Sequence, residues 1–339
     1  QLVAQSSWFT TSVSHTEEPM STISTIDDLD SKVRVVTYPV PSLFREALGW
    51  ASVYVFHLGL VSIPVIVATT GVLTVLRSWK FVAPLFSLCA LGVWPHKKWP
   101  AFERAWRPLF EIWCQIFRTT LIFESPQVPE QFVLTVHPHG VIPVTGMLIW
   151  GSTQSHGYHP DHFGGSNAAL CLPFFRQFLL WNGGVSATKK VVAATLAKAK
   201  SFSIFSGGIN EMAATRAGCD TVVLTPRVGV IRLAKENGKF VVPVFTFGVT
   251  QTFDRFPPPD ASWVRWLSRQ LRVAIMYPVG RWWLPVPMFS RITIVFGAPM
   301  DTSTKSAEEL HVEWVQWFKT THAKYRTLAG CADRELVVL

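Results

Sequence analysis

Two histidines separated by a proline and followed by glycine, His137-Pro138-His139-Gly140, come directly after the apolar run 131–136. Imidazole titrates nearest to neutrality among the side chains, so it needs little tuning to act as a general base. Pro138 fixes the backbone between the rings, and Gly140 permits a left-handed turn or a close backbone approach. An ordinary turn whose histidines only bond the backbone fits the tetrapeptide equally well. A second group, Gly207-Gly208-Ile209-Asn210-Glu211, follows the run 201–206. A glycine pair after a strand can offer backbone N–H groups to an anion. Glu211, on the same rim, can orient an imidazole and steady its cation, as the acid of a catalytic triad does. Read alone, the segment is also a plain strand-to-helix turn with Glu211 well placed for the helix dipole.

Cations accompany both groups. Arg227 stands before a helical stretch, where a planar guanidinium suits a phosphate. Arg176 precedes Trp181-Asn182-Gly183-Gly184, another glycine turn, with Lys189 and Lys190 beyond it. His-x-His with no third nearby ligand is incomplete as a metal centre, so no metal is expected. There is no Gly-x-Ser-x-Gly elbow, and none of these segments places a Ser or Cys as an evident nucleophile. Direct transfer without a covalent enzyme intermediate is the expectation.

These residues must be held by strand ends. Strands are expected at 131–136, 201–206, 221–225, 240–248 and 291–297, with Pro243 suggesting an edge or bulge position in the fourth. Helical spacing marks 189–200 and 228–238, and Ser306-Ala307-Glu308-Glu309 forms a capping box for a helix to about Leu328. Such alternation predicts an α/β fold, a mostly parallel sheet flanked by helices, with ligands beyond the carboxyl ends of the strands.

The 339 residues carry 31 Lys and Arg against 22 Asp and Glu, only 16% charged, with 15 Trp and 24 Phe. Soluble chains average about 25% charged residues, and aromatic excess suits a lipid–water boundary. Residues 1–31 hold five acids and no Lys or Arg, leaving a strongly basic body. Zinc-finger spacing, an RNP-type motif and a basic helix are all absent, which argues against nucleic acid and for anionic lipid or a phosphate-bearing substrate. The five cysteines are scattered, as in a reduced, cytosol-facing compartment. Leu48 to Leu76 is 29 residues without a formal charge, more than the roughly 20 that span a bilayer. Phe81 to Trp94 is a shorter apolar stretch of 14, and His96, Lys97, Lys98, Arg104 and Arg107 follow as a basic collar. The expected organisation is a disordered acidic tail over 1–44, a membrane-embedded helical anchor (helix or hairpin) over 45–95 and a catalytic domain over 96–339.

Taken in order, these segments resemble the diacylglycerol acyltransferase type 2 family, which includes monoacylglycerol acyltransferases and some wax synthases. The resemblance covers roughly residues 95–328 and the preceding anchor. His-Pro-His-Gly matches 137–140, the Arg to Gly-Gly block 176–184, Gly-Gly-x-x-Glu 207–211, and Arg-x-Gly 227–229. Val-Pro-x-x-x-Phe-Gly matches 242–248 and Gly-x-Pro matches 297–299. Two features depart from the pattern and bear on acceptor specificity: the Tyr-Phe-Pro element is not evident in 110–123, and Val249 replaces the usual acid. The resemblance implies a glycerolipid acyltransferase fold moving an acyl group from acyl-CoA, a co-substrate and not a cofactor, to diacylglycerol. It also implies the endoplasmic reticulum membrane, with the catalytic domain facing the cytosol. His139 is then the expected base, with Glu211 orienting it or stabilising its cation and His137 assisting by hydrogen bonding. Backbone N–H groups of the glycine turns would serve the oxyanion. Pro138, Gly140, Arg176, Gly207, Gly208 and Arg227 are the expected substrate-binding set. Transfer to monoacylglycerol, fatty alcohol or lysophospholipid, and a non-catalytic lipid-binding relative, are the alternatives. Homo-oligomerisation stays open.

Overall fold

The computed structural model describes residues 23–77, 97–172, 175–216, 218–225, 227–258 and 276–339, with 263, 266 and 270; side chains are described for 43–59, 69, 71 and 72 of the first helix. Strands β1 (Arg34–Thr37), β2 (Thr120–Phe123), β3 (Phe132–His137), β4 (His162–Gly165), β5 (Gly184–Ser186) and β6 (Ser201–Ile204) are followed by β7 (Cys219–Val222) and β8 (Phe240–Phe247). Short β9 (Asp254–Phe256) and β10 (Tyr277–Val279) precede β11 (Thr293–Phe296) and β12 (Glu335–Val338). Among the described residues the main sheet has eight strands, ordered β1-β2-β11-β8-β3-β6-β4-β5. Its pairs are parallel except β1 with β2 and β11 with β8. The sequence expectation of a mostly parallel α/β sheet describes it.

The helices are α1 (Leu43–Arg77), α2 (Pro100–Ile116), α3 (Val144–Ser152), α4 (Phe175–Trp181), α5 (Lys189–Leu196), α6 (Gly208–Ala214), α7 (Val228–Glu236) and α8 (Ala307–Tyr325). Side chains alternate between the two faces of a strand, so each buried strand feeds two cores. Phe132, Leu134 and Val136 of β3 join Val242, Val244, Ile294 and Phe296 in the core beneath α2 and α3. Val133, Val241, Phe245 and Val295 point the other way, against α5, α7 and α8. Residue 137 shares the parity of Val133 and Thr135, and its ring accordingly lies against Trp314 and Phe318 of α8. The capping box that starts α8 is formed as expected, with Ser306 Oγ accepting from the Glu309 N–H.

Three expectations need correction. Residues 34–37, read as part of the disordered tail 1–44, form the edge strand β1, and Ile23 is buried in the core; residues 1–22 lie outside the described residues. Pro243 is not at an edge, because β8 lies between β11 and β3. It is at the expected alternative, a bulge: its carbonyl accepts from Gly297 N–H just past β11, and the facing chain then slips by one residue to pair Met300 with Val241. Finally, among the described residues no helix is long and apolar enough to cross a membrane. The run 48–76 is helical within α1, but its first part packs on the body: Gly49, Val53 and His57, spaced four apart, make one buried face against α2, and Trp113 donates to Ser52 Oγ at 2.8 Å. The stretch 81–94 lies outside the described residues.

Candidate active site

The site forms where β3 and β6 end side by side. Their parallel register pairs Phe132 with Ser201 and Thr135 with Ile204, so two residues on, His137 comes level with Ser206. His137 and Glu211 are both fully buried, at 0% exposure. A Glu211 carboxylate oxygen lies 2.9 Å from His137 Nδ1, so that nitrogen donates and Nε2 keeps its lone pair. Nε2 in turn meets the Ser206 hydroxyl at 2.5 Å. The other Glu211 oxygen accepts the His139 backbone N–H at 3.1 Å. One carboxylate therefore fixes the tautomer of the first histidine and the main chain of the second.

Gly207 is what lets Glu211 reach across. A Cβ built there would stand 1.5 Å from Glu211 Oε2, so any side chain would displace the carboxylate. The glycine's requirement is space, at the first turn of α6, where Glu211 sits. Gly140, at φ +67°, is left-handed and lies against Val249, whose Cγ2 would be 3.2 Å from a Cβ. The valine that replaces the family's acid thus closes over the histidine turn.

His139 has a different environment. Its Nδ1 is 2.9 Å from its neighbour's Gly140 carbonyl, so Nδ1–H donates there and Nε2 carries the lone pair. The ring is half-buried and edge-on to Phe205. Burial lowers its pKa, against the opposing pull of the Gly140 carbonyl and the Glu211 charge. The shift favours the neutral ring, whose Nε2 carries the lone pair.

The structure brings together His137, Pro138, His139, Gly140, Gly207, Gly208, Glu211 and Arg227. Arg227 Nη2 donates to the Gly207 carbonyl at 3.1 Å. Its Nε is buried and has no partner among the described residues. Arg176 is elsewhere, on α4, which leads into β5, three places along the sheet from β3. The Gly208 N–H is committed to the Phe205 carbonyl, so it does not serve the oxyanion in this arrangement. Glu211 orients the His137 ring, where the sequence reading paired it with His139. Ser206 was missed altogether. Its available signal was position: a hydroxyl two residues past the end of a strand, at the height of the first histidine.

The family model for diacylglycerol acyltransferase matches residues 72–339. The chain belongs to the diacylglycerol acyltransferase family. Among relatives of this acyltransferase, diacylglycerol O-acyltransferase 2B of Umbelopsis ramanniana is 25% identical over 64% of this chain and 69% of that one. The 2-acylglycerol O-acyltransferase 1 of Mus musculus is 24% identical over 73% and 83%, respectively. Diacylglycerol O-acyltransferase 2 of Dictyostelium discoideum is 26% identical over 65% and 73%. The solved 1-acyl-sn-glycerophosphate acyltransferase of Thermotoga maritima is similar at a TM-score of 0.44 and 16% identity, over 82% of this chain and 96% of that one, too loosely to carry an argument.

Proposed function

We propose that this acyltransferase moves a fatty acyl group from acyl-CoA to the free hydroxyl of diacylglycerol, giving triacylglycerol. The observation that carries the mechanism is the half-buried His139 ring, its Nδ1 bonded to the Gly140 carbonyl so that Nε2 keeps the lone pair, beside the buried Glu211–His137 pair. In this reading Nε2 takes the hydroxyl proton as the alcohol oxygen attacks the thioester carbonyl; the C–S bond then breaks and the proton passes to the departing thiolate. Arg227 supplies a fixed positive charge for a CoA phosphate. Diacylglycerol is preferred as acceptor because two of the three relatives described above carry that name, while the mouse relative keeps monoacylglycerol as the second reading.

The test is product analysis with full-length protein, acyl-CoA and a panel of diacylglycerol, monoacylglycerol, fatty alcohol and lysophospholipid. Triacylglycerol should dominate, and His139→Ala should lower turnover by about 10²- to 10⁴-fold. Because burial lowers the His139 pKa, the acidic limb of kcat/KM should fall below the ordinary histidine value of about 6.5. Preference for another alcohol would replace the acceptor, and a His139→Ala enzyme of near-normal turnover would remove the base. In the same assay Arg227→Ala should raise KM for acyl-CoA by about 10-fold, the loss of one charge-assisted hydrogen bond. A fall in turnover at unchanged KM would instead make Arg227 a brace for the Gly207 carbonyl.

The same reading puts the protein at the endoplasmic reticulum membrane, with the site facing cytosolic acyl-CoA. Glycosylation of an acceptor sequence engineered after residue 96 would contradict that orientation.

A further inference from the structure

We infer that Ser206, His137 and Glu211 form a nucleophile, base and acid that take an acyl group from a thioester onto the serine oxygen, giving the protein an acyl-CoA hydrolase activity distinct from transfer to a lipid alcohol. The order of the three groups is that of a catalytic triad. Glu211 and His137 are wholly buried, while Ser206 at the outer end is partly exposed. The carboxylate at 2.9 Å holds the proton on Nδ1, which turns the Nε2 lone pair toward the serine hydroxyl at 2.5 Å. That is the polarity required for Nε2 to accept the hydroxyl proton, and the polarity that Asp or Glu imposes wherever such triads occur. A serine serving only to satisfy the imidazole would not need a buried carboxylate behind the ring, nor a glycine at 207 to let that carboxylate in. The two chain neighbours of Ser206 touch the groups used in the transfer reading: Phe205 lies edge-on to the His139 ring, and the Gly207 carbonyl accepts from Arg227.

The chemistry balances with the donor alone. Ser206 Oγ attacks the thioester carbonyl and gives its proton to His137 Nε2. The C–S bond breaks, the imidazolium returns the proton to the thiolate, and free CoA leaves an acyl-serine ester. Water then attacks the ester, its proton passes to Nε2 and on to Ser206 Oγ, and the fatty acid departs. The inference shares the thioester donor and its neighbourhood beside Arg227 with the preceding reading, but not its base or its acceptor.

The experiment uses the full-length protein, palmitoyl-CoA and no lipid acceptor, with intact-mass spectrometry, peptide mapping and thiol release followed in time. Wild type should gain one palmitoyl group on Ser206 and show a burst of free thiol followed by a slower steady rate. Ser206→Ala and His137→Ala should lose the adduct and at least about 10²-fold of the acceptor-independent thiol release. Ser206→Cys guards against a folding defect in the alanine variant: it should carry the acyl group as a thioester that neutral hydroxylamine removes. A wild-type protein that never carries an acyl group, or thiol release that persists in Ser206→Ala, overturns the inference. Triacylglycerol formation is scored separately: glyceride made without any acyl-Ser206 sinks this inference and leaves the transfer reading standing, whereas acyl-Ser206 without glyceride does the reverse.

Discussion

Glu211→Gln is expected to lower the acceptor-independent release of thiol from acyl-CoA by roughly 10³- to 10⁴-fold while the protein stays folded. The carboxylate accepts two hydrogen bonds, from His137 Nδ1–H and from the His139 main chain. Glutamine offers one acceptor oxygen, so its amide N–H₂ must face one of those two donors. If it faces His137, the ring answers by shifting its proton to Nε2, which becomes a donor and can no longer take a proton from any hydroxyl. If it faces His139, the backbone that carries the second imidazole loses its tether. Both outcomes strike the site, and neither removes a core side chain. Gly207→Ala should reproduce the loss by a separate route, since its Cβ falls on the position of the Glu211 carboxylate. Steady-state kinetics beside a thermal melt check the pair. Near-normal thiol release in Glu211→Gln would mean that the buried carboxylate does no more than fill and stabilise the site.

The sequence carried the site's membership better than its internal wiring. His-Pro-His-Gly and Gly-Gly-x-x-Glu each follow an apolar run, and parallel strands put such ends on one edge of the sheet. Which imidazole Glu211 would meet depended on side-chain parity: residue 137 is still in β3 and turns inward toward α8, whereas 139 is past the strand and half-exposed. Ser206 escaped notice because it reads as the last residue of the strand 201–206, and only the register between β3 and β6 lifts it to His137. The edge strand β1 was hidden for another reason. Arg34-Val35-Val36-Thr37 is four residues long and borders an acidic segment, and its stability comes from pairing with β2, some eighty residues away. Of the two positions expected for Pro243 the edge fails and the bulge holds: Val244 pairs with Phe296 but Val241 with Met300, a slip of one residue in the facing chain beside the proline. In α1 an uncharged run suggested lipid, yet three positions at four-residue spacing were already committed to α2. Charge alone did not distinguish packing on protein from packing on acyl chains.

Arg334→Met should destabilise the fold by about 3–5 kcal/mol, the usual consequence of stranding a buried charge. Asp220 of β7 is fully buried, and Arg334, just before β12, is 6% exposed. The Arg334 Nε donates to Asp220 Oδ1 at 3.1 Å, and its Nη2 reaches the Cys219 carbonyl and Thr250 Oγ1. Thr250 passes a hydrogen bond back to the same carboxylate oxygen, and His322 Nε2 stands 3.5 Å from the other. The cluster thereby ties the C-terminal strand to β7 and to the turn at 249–251, whose first residue packs on Gly140. Burial pushes the Asp220 pKa up, but the nearby His322 imidazole, the Arg334 charge and the Thr250 hydroxyl outweigh it and hold the carboxyl below its usual range. A depressed folded pKa means this contribution is complete above the unfolded carboxylate value of about 3.9 and is lost as pH falls through the lower folded value. Removing the arginine takes away one of the main lowering influences, so the variant's acid unfolding should begin at higher pH than wild type. Replacing both partners, Asp220→Asn with Arg334→Met, removes the stranded charge and should recover much of the loss. Denaturant melts of wild type, the two single variants and the double variant at neutral pH measure this coupling. A double variant as unstable as the sum of its parts would show that the two side chains act independently, and that the C-terminal strand is held by its backbone ladder to β7 alone.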